Sequence, residues 1–431
     1  MLIKYKAILF LCCLVMFNSC NNDDNSVIDP NPDPEPVSLT DNIVLYNGDL
    51  LENGLVLAVE NGSTKSYLLD KTGKRVHEWN FNTKLGNDFE MLPDGRAIGM
   101  FKVDSPSFSF GGFGGSIRII NPDSSIEWQY DYVSDNYIAH HDVEILPNGN
   151  VLFLVWEKIS PMIAQNNGVN FNSNIYPEKL IEVDPETNTI VWEWKSWDHI
   201  IQDFDNNLPN YGIVKDNPQL ININYSLPED GDIMHANGID YDASNDLIYM
   251  SVNYFSEVWV IDHSTSTSEA AGHSGGNFNK GGDLIYRFGN PEAYNNTSGT
   301  RIFYNNHFPN LLENNEPGTG NILIFVNKGQ NIDQSTVYEL KLPSFLNLVP
   351  DTNNEPEVVW SFTDANLFNP KISSAVRLLN GNTLICEGDY GFWEVTSNGE
   401  VVWKYDGSDG SALWRAYGYT FDSPEVKSLG L

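Results

Sequence analysis

The sequence contains little cysteine, with four residues in 431. Cys12 and Cys13 lie in an N-terminal segment that we interpret as an export signal, and Cys20 ends that segment. Cys386 is then left without a partner, which excludes the disulfide framework of small secreted domains. Because Cys386 ends a short apolar run, we interpret it as a buried strand residue rather than a nucleophile.

Basic residues are also scarce. Lys and Arg number 24 against 58 Asp and Glu, which gives a formal net charge of -34. Such a chain repels a phosphate backbone, so nucleic acid is excluded as a partner. Hydrophobic residues make up 41% and aromatic residues 12% of the chain, which is enough to form a large core.

The apolar run from Ala7 to Phe17 is too short to span a bilayer. It follows two lysines and is typical of an export signal. The residues that end it, up to Cys20, resemble a bacterial lipobox, in which the cysteine is acylated after cleavage. We therefore predict a signal peptide at residues 1–19, an acylated Cys20 with a disordered tether at 20–40, and a folded domain at 41–431. This organisation predicts an exported lipoprotein of the outer membrane, on its periplasmic face or the cell surface, held to the membrane only by lipid.

Helical periodicity is scarce beyond residue 40, and short β-rich runs recur after turns of the Asn-Gly type. The six copies begin at Asn53, Asp94, Asn148, Asn245, Gly320 and Asn380. Each copy continues through a second strand and a polar turn to a strand that ends in an aromatic residue. Four short strands repeated six times predict an all-β fold, a six-bladed β-propeller whose terminal aromatic residues fill the space between blades. We expect long loops on one face, at residues 157–176, 195–233 and 264–282.

Three of the eight histidines fall at one position of the repeat. Counting back seven residues from the turn residues Asn148, Asp242 and Asn314 of three successive units leads to His141, His235 and His307. The corresponding residues of the other units are Tyr46, Asn87 and Ser373. Equivalent positions of a propeller surround its channel, so we expect the three imidazoles to converge and to form a functional site.

Side chains alternate across a strand, so we expect only His141 of the pair His140-His141 to face the channel. We assign the remaining histidines to loops and strand ends: His77, His199, His263 and His273. The glycine-rich run at residues 111–115 has no lysine or helix signal after it, so we interpret it as a flexible hairpin rather than a phosphate-binding loop.

Clustered imidazoles support two kinds of chemistry. They can bind a metal such as Zn²⁺, or they can act as nucleophile and general acid or base. A metal-binding histidine usually donates its other N–H to a carboxylate, so a metal site would require Asp142, Asp240 or Asp262 to point inward. The residues alone leave both uses open.

Several motifs resemble those of bacterial arylsulfate sulfotransferases, six-bladed propellers that act outside the cytoplasm. They are His140-His141-Asp142-Val143, Met234-His235-Ala236-Asn237-Gly238, Glu257-Val258-Trp259-Val260-Ile261-Asp262-His263 and Asn380-Gly381-Asn382-Thr383-Leu384. The resemblance implies that His307 attacks the sulfur of an aryl sulfate donor and forms a sulfohistidine that a phenolic acceptor resolves. His235 and His141 would bind the sulfuryl oxygens and manage the phenol proton. It implies no nucleotide donor, no cofactor and no metal.

The chain differs from the family pattern at two positions. Asn253 stands where the family commonly has arginine, and Phe308 follows the nucleophile where many members have an acid. We predict that Asn253 binds substrate together with Arg377, on the innermost strand of the sixth unit, and Arg287 and Arg301 are alternatives. Two other functions stay open: a non-catalytic surface propeller that binds a glycan or protein, and a histidine-ligated metal hydrolase.

Overall fold

A computed structural model describes residues 37–407 and 412–431, and the strands of these residues form six sheets arranged as the blades of a β-propeller and one additional two-stranded sheet. The all-β prediction is confirmed. The predicted signal peptide, the acylated Cys20 and most of the tether lie outside the described residues, so they stay predictions. Within the described ranges, no helix is long and apolar enough to cross a bilayer.

The strands are short, and most blades contain four of them. In chain order they are β1 (Ile43–Tyr46), β2 (Gly54–Asn61), β3 (Lys65–Asp70), β4 (Arg75–Asn80), β5 (Leu85–Met91), β6 (Ala97–Lys102), β7 (Gly115–Ile120), β8 (Ile126–Asp131), β9 (Tyr137–Ile145), β10 (Val151–Glu157), β11 (Glu178–Asp184), β12 (Thr189–Lys195), β13 (Ile200–Ile201), β14 (Ile221–Asn222), β15 (Ala236–Asp242), β16 (Leu247–Val252), β17 (Glu257–Asp262), β18 (Tyr286–Phe288), β19 (Asn306–Leu311), β20 (Asn321–Val326), β21 (Thr336–Lys341), β22 (Glu357–Phe362), β23 (Ser374–Arg377), β24 (Thr383–Glu387), β25 (Gly391–Val395), β26 (Val401–Asp406) and β27 (Ala412–Thr420).

From the channel outward, blade one contains β27, β2, β3 and β4, and blade two contains β5 to β8. Blades three, four and five contain β9 to β12, β15 to β18 and β19 to β22, and blade six contains β23 to β26 with β1 added outside. Neighbouring strands of every blade are antiparallel. The helices are short: α1 (Pro161–Asn166), α2 (Thr267–Ala270) and α3 (Pro424–Ser428), with 3₁₀ turns at Ser196–His199, Val214–Asp216 and Pro291–Tyr294.

Strands near the channel are buried on both faces because neighbouring blades pack against both. The second strand of blade three, β10, is buried at every residue except its last, Glu157. The outermost strand of blade two, β8, contains no buried residue. This position explains why second strands such as β10 and β20 are nearly continuous apolar runs rather than alternating ones.

Four of the six terminal aromatic residues donate an indole hydrogen bond to the next blade, which agrees with their predicted role between blades. Trp403 of blade six donates its indole N–H to the carbonyl of Lys71 in blade one, at 2.9 Å. Trp192 of blade three donates to the hydroxyl of Thr265, which follows β17 in blade four. These bonds satisfy the one polar atom of a large side chain that fills the space between blades.

The ring is closed by the C-terminal strand. β27 pairs with β2 over the whole length of β2 and supplies the innermost strand of blade one. The segment that the repeat placed there contains Tyr46, and it instead pairs with β26 at the outer edge of blade six. The prediction for Tyr46 was therefore wrong. The innermost strand of blade one comes from the other end of the chain, and a repeat pattern contains no information about this pairing.

The three long insertions leave the blades at different places. Residues 157–176 follow β10, which pairs with the strand that contains His140 and His141. Residues 195–233 connect β12 to the segment that contains His235. Residues 264–282 follow Asp262, which pairs with Leu247 at the opposite end of blade four. That third insertion packs on β12 of blade three, where Trp194 donates a hydrogen bond to the carbonyl of Gly282. Cys386 is buried, as predicted.

Candidate active site

Backbone bulges near one end of the channel position the predicted histidines. His141 and His235 have φ values of 53° and 51°, and Phe308, beside His307, has a φ of 54°. His307 pairs with Phe325 in β20, whereas His141 lies in a bulge and His235 precedes β15. The prediction of one equivalent repeat position was therefore wrong, because bulges and hairpin loops of unequal length shift the register.

His140 and His141 both lie in the cluster, in contrast to the expectation that one of them faces away. The ladder between β9 and β10 skips His141 and Asp142. His140 and His141 are 0% and 2% exposed, and their Nδ1 atoms are 2.8 Å apart. Alternation fails here because a bulged residue leaves the pleat that alternation requires.

The rings of the three predicted histidines share one buried volume. The ring centroids of His141 and His235 are 4.8 Å apart. His141 and His307 lie 5.5 Å and 5.8 Å from Trp414 of β27. The side chain of His235 is 16% exposed, whereas residues His141 and His307 are each only 2% exposed. The structure thus brings the predicted residues together, with His235 nearest to solvent.

The tautomer of His307 follows from its hydrogen-bond partner. Its Nδ1 lies 2.6 Å from the side-chain amide oxygen, Oδ1, of Asn327. The amide of Asn327 donates to the carbonyls of Asn369 and Ile372, which orients the oxygen toward the imidazole. An amide oxygen can only accept, so Nδ1 carries the proton and Nε2 keeps its lone pair. Burial lowers the pKa of His307 to about 3, although the bond to Asn327 opposes this shift.

His235 has the opposite electrostatic environment. Burial by itself lowers the pKa of His235, but the charge of Asp232 and its hydrogen bond to Nδ1 raise it above the usual value. The imidazole stacks on Tyr254 with centroids 4.9 Å apart and planes 15° apart. A protonated His235 bonded to Asp232 through Nδ1 keeps its Nε2–H free to donate.

Glu178, His140 and His141 form a chain of hydrogen bonds. One oxygen of Glu178 accepts the backbone N–H of Ala236 at 2.7 Å, and the other lies 2.9 Å from Nε2 of His140. His140 stacks on Trp156 at 3.7 Å and meets His141 through Nδ1. With Glu178 ionised, each imidazole donates toward the carboxylate, and Nε2 of His141 is left as an acceptor.

Burial is the main influence on the protonation of this chain. Burial raises the pKa of Glu178 well above its usual value, with the charge of Asp232 adding to the effect. Burial also lowers the pKa of His140 and of His141 well below the usual value. A proton that enters at His141 is therefore held more strongly by the Glu178 carboxylate than by either imidazole.

The glycine-rich segment predicted to be a flexible hairpin instead lies against the site. Its Gly112 has a φ of 83°, and its carbonyl accepts the backbone N–H of His141 at 2.9 Å. A Cβ on Gly112 would lie 2.0 Å from Nε2 of His141. The Asn87 side chain donates to the same carbonyl. Glycine is therefore required where the loop covers the imidazole, a reason that the sequence pattern did not reveal.

The positive charge of Arg415, on β27, acts on the histidine cluster, and sequence reasoning missed this residue. Its guanidinium binds Asp142 through two hydrogen bonds of 2.7 Å and binds Asp88 at 3.0 Å. The charge of Arg415 contributes to the lowered pKa of both His141 and His307, after burial. No repeat motif pointed to it, because β27 enters blade one from the far end of the chain.

The two predicted substrate-binding residues have other contacts. The amide of Asn253 donates to the carbonyl of Asn306 and accepts from Asn305, so it braces the strand that carries His307. Arg377 binds Glu339 at 2.5 Å and the carbonyl of Gly381, at the turn end of its strand. The structure therefore does not bring Arg377 to the histidines, because its strand carries it toward the opposite end of the channel.

The other candidate arginines are also engaged elsewhere. Arg287 is buried against Glu257, and Arg301 binds Glu292 and Ser256. These contacts leave Arg415 as the arginine whose charge acts on the histidine cluster.

The carboxylates expected beside a metal centre point elsewhere. Asp142 binds Arg415, Asp240 accepts the backbone N–H of Leu311, and Asp262 accepts from Ser264. In the described part of the chain, one group of three side chains has ligand atoms close enough to share a metal ion, and it does not contain the channel histidines.

Fold and site together define a six-bladed propeller with a cluster of buried histidines at one end of its channel. The sequence matches the arylsulfotransferase (ASST) family over residues 40–409, which is most of the chain, and the protein belongs to that family. Membership supports aryl sulfotransferase activity in general, with an aryl sulfate donor and a phenol acceptor. No curated protein matches the sequence.

Several solved structures are similar to this chain at low identity. A Bacteroides caccae protein of unknown function is 13% identical, with a TM-score of 0.47, and the match covers 85% of this chain and 98% of the other. A putative 6-phosphogluconolactonase from Bacteroides fragilis is 11% identical, with a TM-score of 0.41 and the same coverages. The β-propeller domain of Myceliophteria thermophila Cps50 (Swd1) is 8% identical, with a TM-score of 0.36, and the match covers 90% and 96%.

Proposed function

We propose that the protein transfers a sulfuryl group from an aryl sulfate ester to a phenol through a sulfohistidine at Nε2 of His307, without a nucleotide donor. The observation that carries this proposal is the bond from Nδ1–H of His307 to Asn327, which leaves Nε2 unprotonated inside the cluster.

In the first step, the Nε2 lone pair of His307 forms a bond to sulfur while the bond from sulfur to the aryl oxygen breaks. The departing phenolate takes the Nε2 proton of His235 and leaves as a phenol. Before that transfer, the same N–H donates to a sulfuryl oxygen. The raised pKa of His235 supports this role, because the protonated form is the one that donates.

In the second step, the acceptor phenol gives its proton to Nε2 of His141. Its oxygen then attacks the sulfohistidine, and cleavage of the nitrogen–sulfur bond restores the lone pair of His307. The proton moves through His140 to Glu178 along the hydrogen-bond chain. The chain then transfers the proton in the reverse direction, from Glu178 through His140 to His141. Nε2 of His141 passes it to His235, whose ring lies 4.8 Å away, so protons and charge balance over the cycle.

The test uses 4-nitrophenyl sulfate with purified wild-type protein, the His307→Ala variant and a His77→Ala control. Wild type and control are expected to release a burst of nitrophenol and to carry a sulfuryl adduct on His307 by mass spectrometry. The His307→Ala variant should show neither. An adduct on another residue, or no turnover with varied donors and acceptors, would contradict the proposal and favour a binding protein.

The same assay distinguishes the metal hydrolase. That function predicts turnover that a chelator abolishes and no covalent adduct.

We also propose that Cys20 anchors the protein to the outer membrane. Growth with a labelled fatty acid should label wild type, and Cys20→Ser should lose the label.

A further inference from the structure

A second histidine cluster lies at the outer edge of the propeller. His199 ends the 3₁₀ turn that follows β12 of blade three, and its ring is parallel to that of Trp194. His273 lies in the insertion that follows β17, and Asp283 ends that insertion. The channel histidines lie on or directly before innermost strands, whereas this cluster is beside the outermost strand of blade three. It is therefore separate from the candidate active site.

Both imidazoles of the cluster meet the same carboxylate oxygen. Nδ1 of His199 lies 2.9 Å from Oδ1 of Asp283, and Nδ1 of His273 lies 2.7 Å from the same atom. The other nitrogen of His199, Nε2, lies 2.8 Å from the carbonyl oxygen of Ala270. A carbonyl only accepts, so Nε2 of His199 carries a proton.

This arrangement leaves an electrostatic conflict that a cation would remove. When the imidazole of His199 is neutral, its Nδ1 lone pair faces the lone pairs of Asp283 inside the protein. His199 is 0% exposed, so water does not separate these two atoms. An imidazole that donates one N–H to a backbone carbonyl and points the other nitrogen at a shared centre has the orientation of a metal ligand.

The backbone holds the cluster together before any ion binds. Gly282 donates its N–H to the carbonyl of Gly272 at 3.0 Å, which brings the residues on either side, His273 and Asp283, next to each other. A Cβ on Gly282 would lie 2.4 Å from Nε2 of His199, so the close packing of the loop on that ring requires glycine. The ligand atoms of the three side chains all lie within 4.8 Å of one another.

We propose that His199, His273 and Asp283 bind one divalent transition-metal ion, Zn²⁺ in the first instance. Two nitrogens and one oxygen suit zinc, and ligands bound at about 2.0–2.1 Å in a tetrahedron lie about 3.3 Å apart. The present distances from Oδ1 of Asp283, 2.9 Å to His199 and 2.7 Å to His273, are shorter than that value. A shift of a few tenths of an ångström by the Asp283 carboxylate away from His199, with a matching movement of His273, whose side chain is 63% exposed, opens both distances and leaves a fourth position for water. The ion would fasten the insertion of blade four to blade three.

The binding test titrates Co²⁺ into the chelator-treated full chain and follows its visible absorption. Wild type is expected to bind one equivalent with the bands of a four-coordinate nitrogen–oxygen site, and Zn²⁺ should displace it. His273→Ala and Asp283→Asn should lose this binding. The matched control His77→Ala changes a histidine outside the cluster and should retain it.

A proteolysis test reports where the ion acts. Lys280 lies within the insertion, so trypsin cleavage after Lys280 should slow when Zn²⁺ is added to wild type and should not change in His273→Ala. Absence of binding in wild type would mean that a proton alone satisfies the Asp283 carboxylate, and would overturn the proposal. Binding that survives His273→Ala but is lost in His235→Ala would also overturn it, because the ion would then be in the channel.

Discussion

The proposed reaction depends on which nitrogen of each histidine carries a proton. Asn327 keeps Nε2 of His307 free, Asp232 favours the charged form of His235, and Glu178 orients His140 and, through it, His141. Each of these three partners is one side chain. Replacing it with a side chain of nearly the same shape can therefore alter the protonation of one histidine at a time.

The first prediction concerns the acid of the reaction. The protonated form of His235 donates, so kcat/KM should fall as pH rises through its raised pKa. Asp232→Asn removes the charge that raises that pKa, so the alkaline limb should move to lower pH. Rates across a pH series with 4-nitrophenyl sulfate measure this shift. The same alkaline limb in wild type and Asp232→Asn would show that another group donates the proton.

The second prediction concerns the proton chain. In Glu178→Gln, the amide oxygen must face the N–H of Ala236, so the amide donates to His140. This reverses both imidazole tautomers and leaves His141 unable to accept a proton at Nε2. Steady-state turnover should fall about 10²-fold, in the range for loss of a general base, while the nitrophenol burst persists.

Acceptors that are already ionised separate this effect from structural damage. A phenol of low pKa needs no base, so it should restore much of the turnover of Glu178→Gln. Glu182→Gln, on the same strand but bonded to Asn148 and Asn150, serves as the control and should keep wild-type rates. Equal loss of the burst and of turnover would argue against the chain.

At the level of elements, β27 has two roles. It closes the ring against β2, and it carries Trp414 and Arg415 into the histidine cluster. Arg415 connects three blades, because Asp88 belongs to β5 and Asp142 to β9. Closure of the ring and construction of the site are therefore the work of the same strand.

The third prediction follows from this arrangement. Arg415→Met fills a similar volume but leaves two buried carboxylates without their cation. Unpaired buried charges are costly, so the free energy of unfolding should fall by about 3–5 kcal/mol, measured with urea. Arg96→Met removes a partly exposed arginine that also binds two carboxylates, and should change it by about 0–1 kcal/mol. Similar small effects for both variants would show that Arg415 is not structurally required.

At the level of the whole molecule, charge should control access to the channel. A net charge of -34 repels an anionic aryl sulfate. Added salt screens this repulsion, so kcat/KM for the donor should rise about two- to fivefold between about 10 mM and about 150 mM NaCl. The KM of a neutral phenol acceptor provides the control and should stay constant. A donor kcat/KM that falls with salt would indicate that local positive charge dominates.

Much of the fold could be predicted from the sequence, because turns and strand composition are local features. The repeat identified six blades and the aromatic residues between them. It misplaced Tyr46, because closure by β27 joins strands from opposite ends of the chain. It also misjudged His140, because a bulge is a departure from the alternation on which the prediction was based.

The sequence by itself determined the six-bladed architecture and pointed to the three histidines that the structure brings together, because turns, strand composition and short motifs are local features. The tertiary structure decided which arginine supports them, how each imidazole is protonated, and that a glycine covers His141. Arg415, Asn327 and Gly112 act through contacts between different blades. Such contacts depend on how bulges and ring closure orient the strands, which no local pattern encodes.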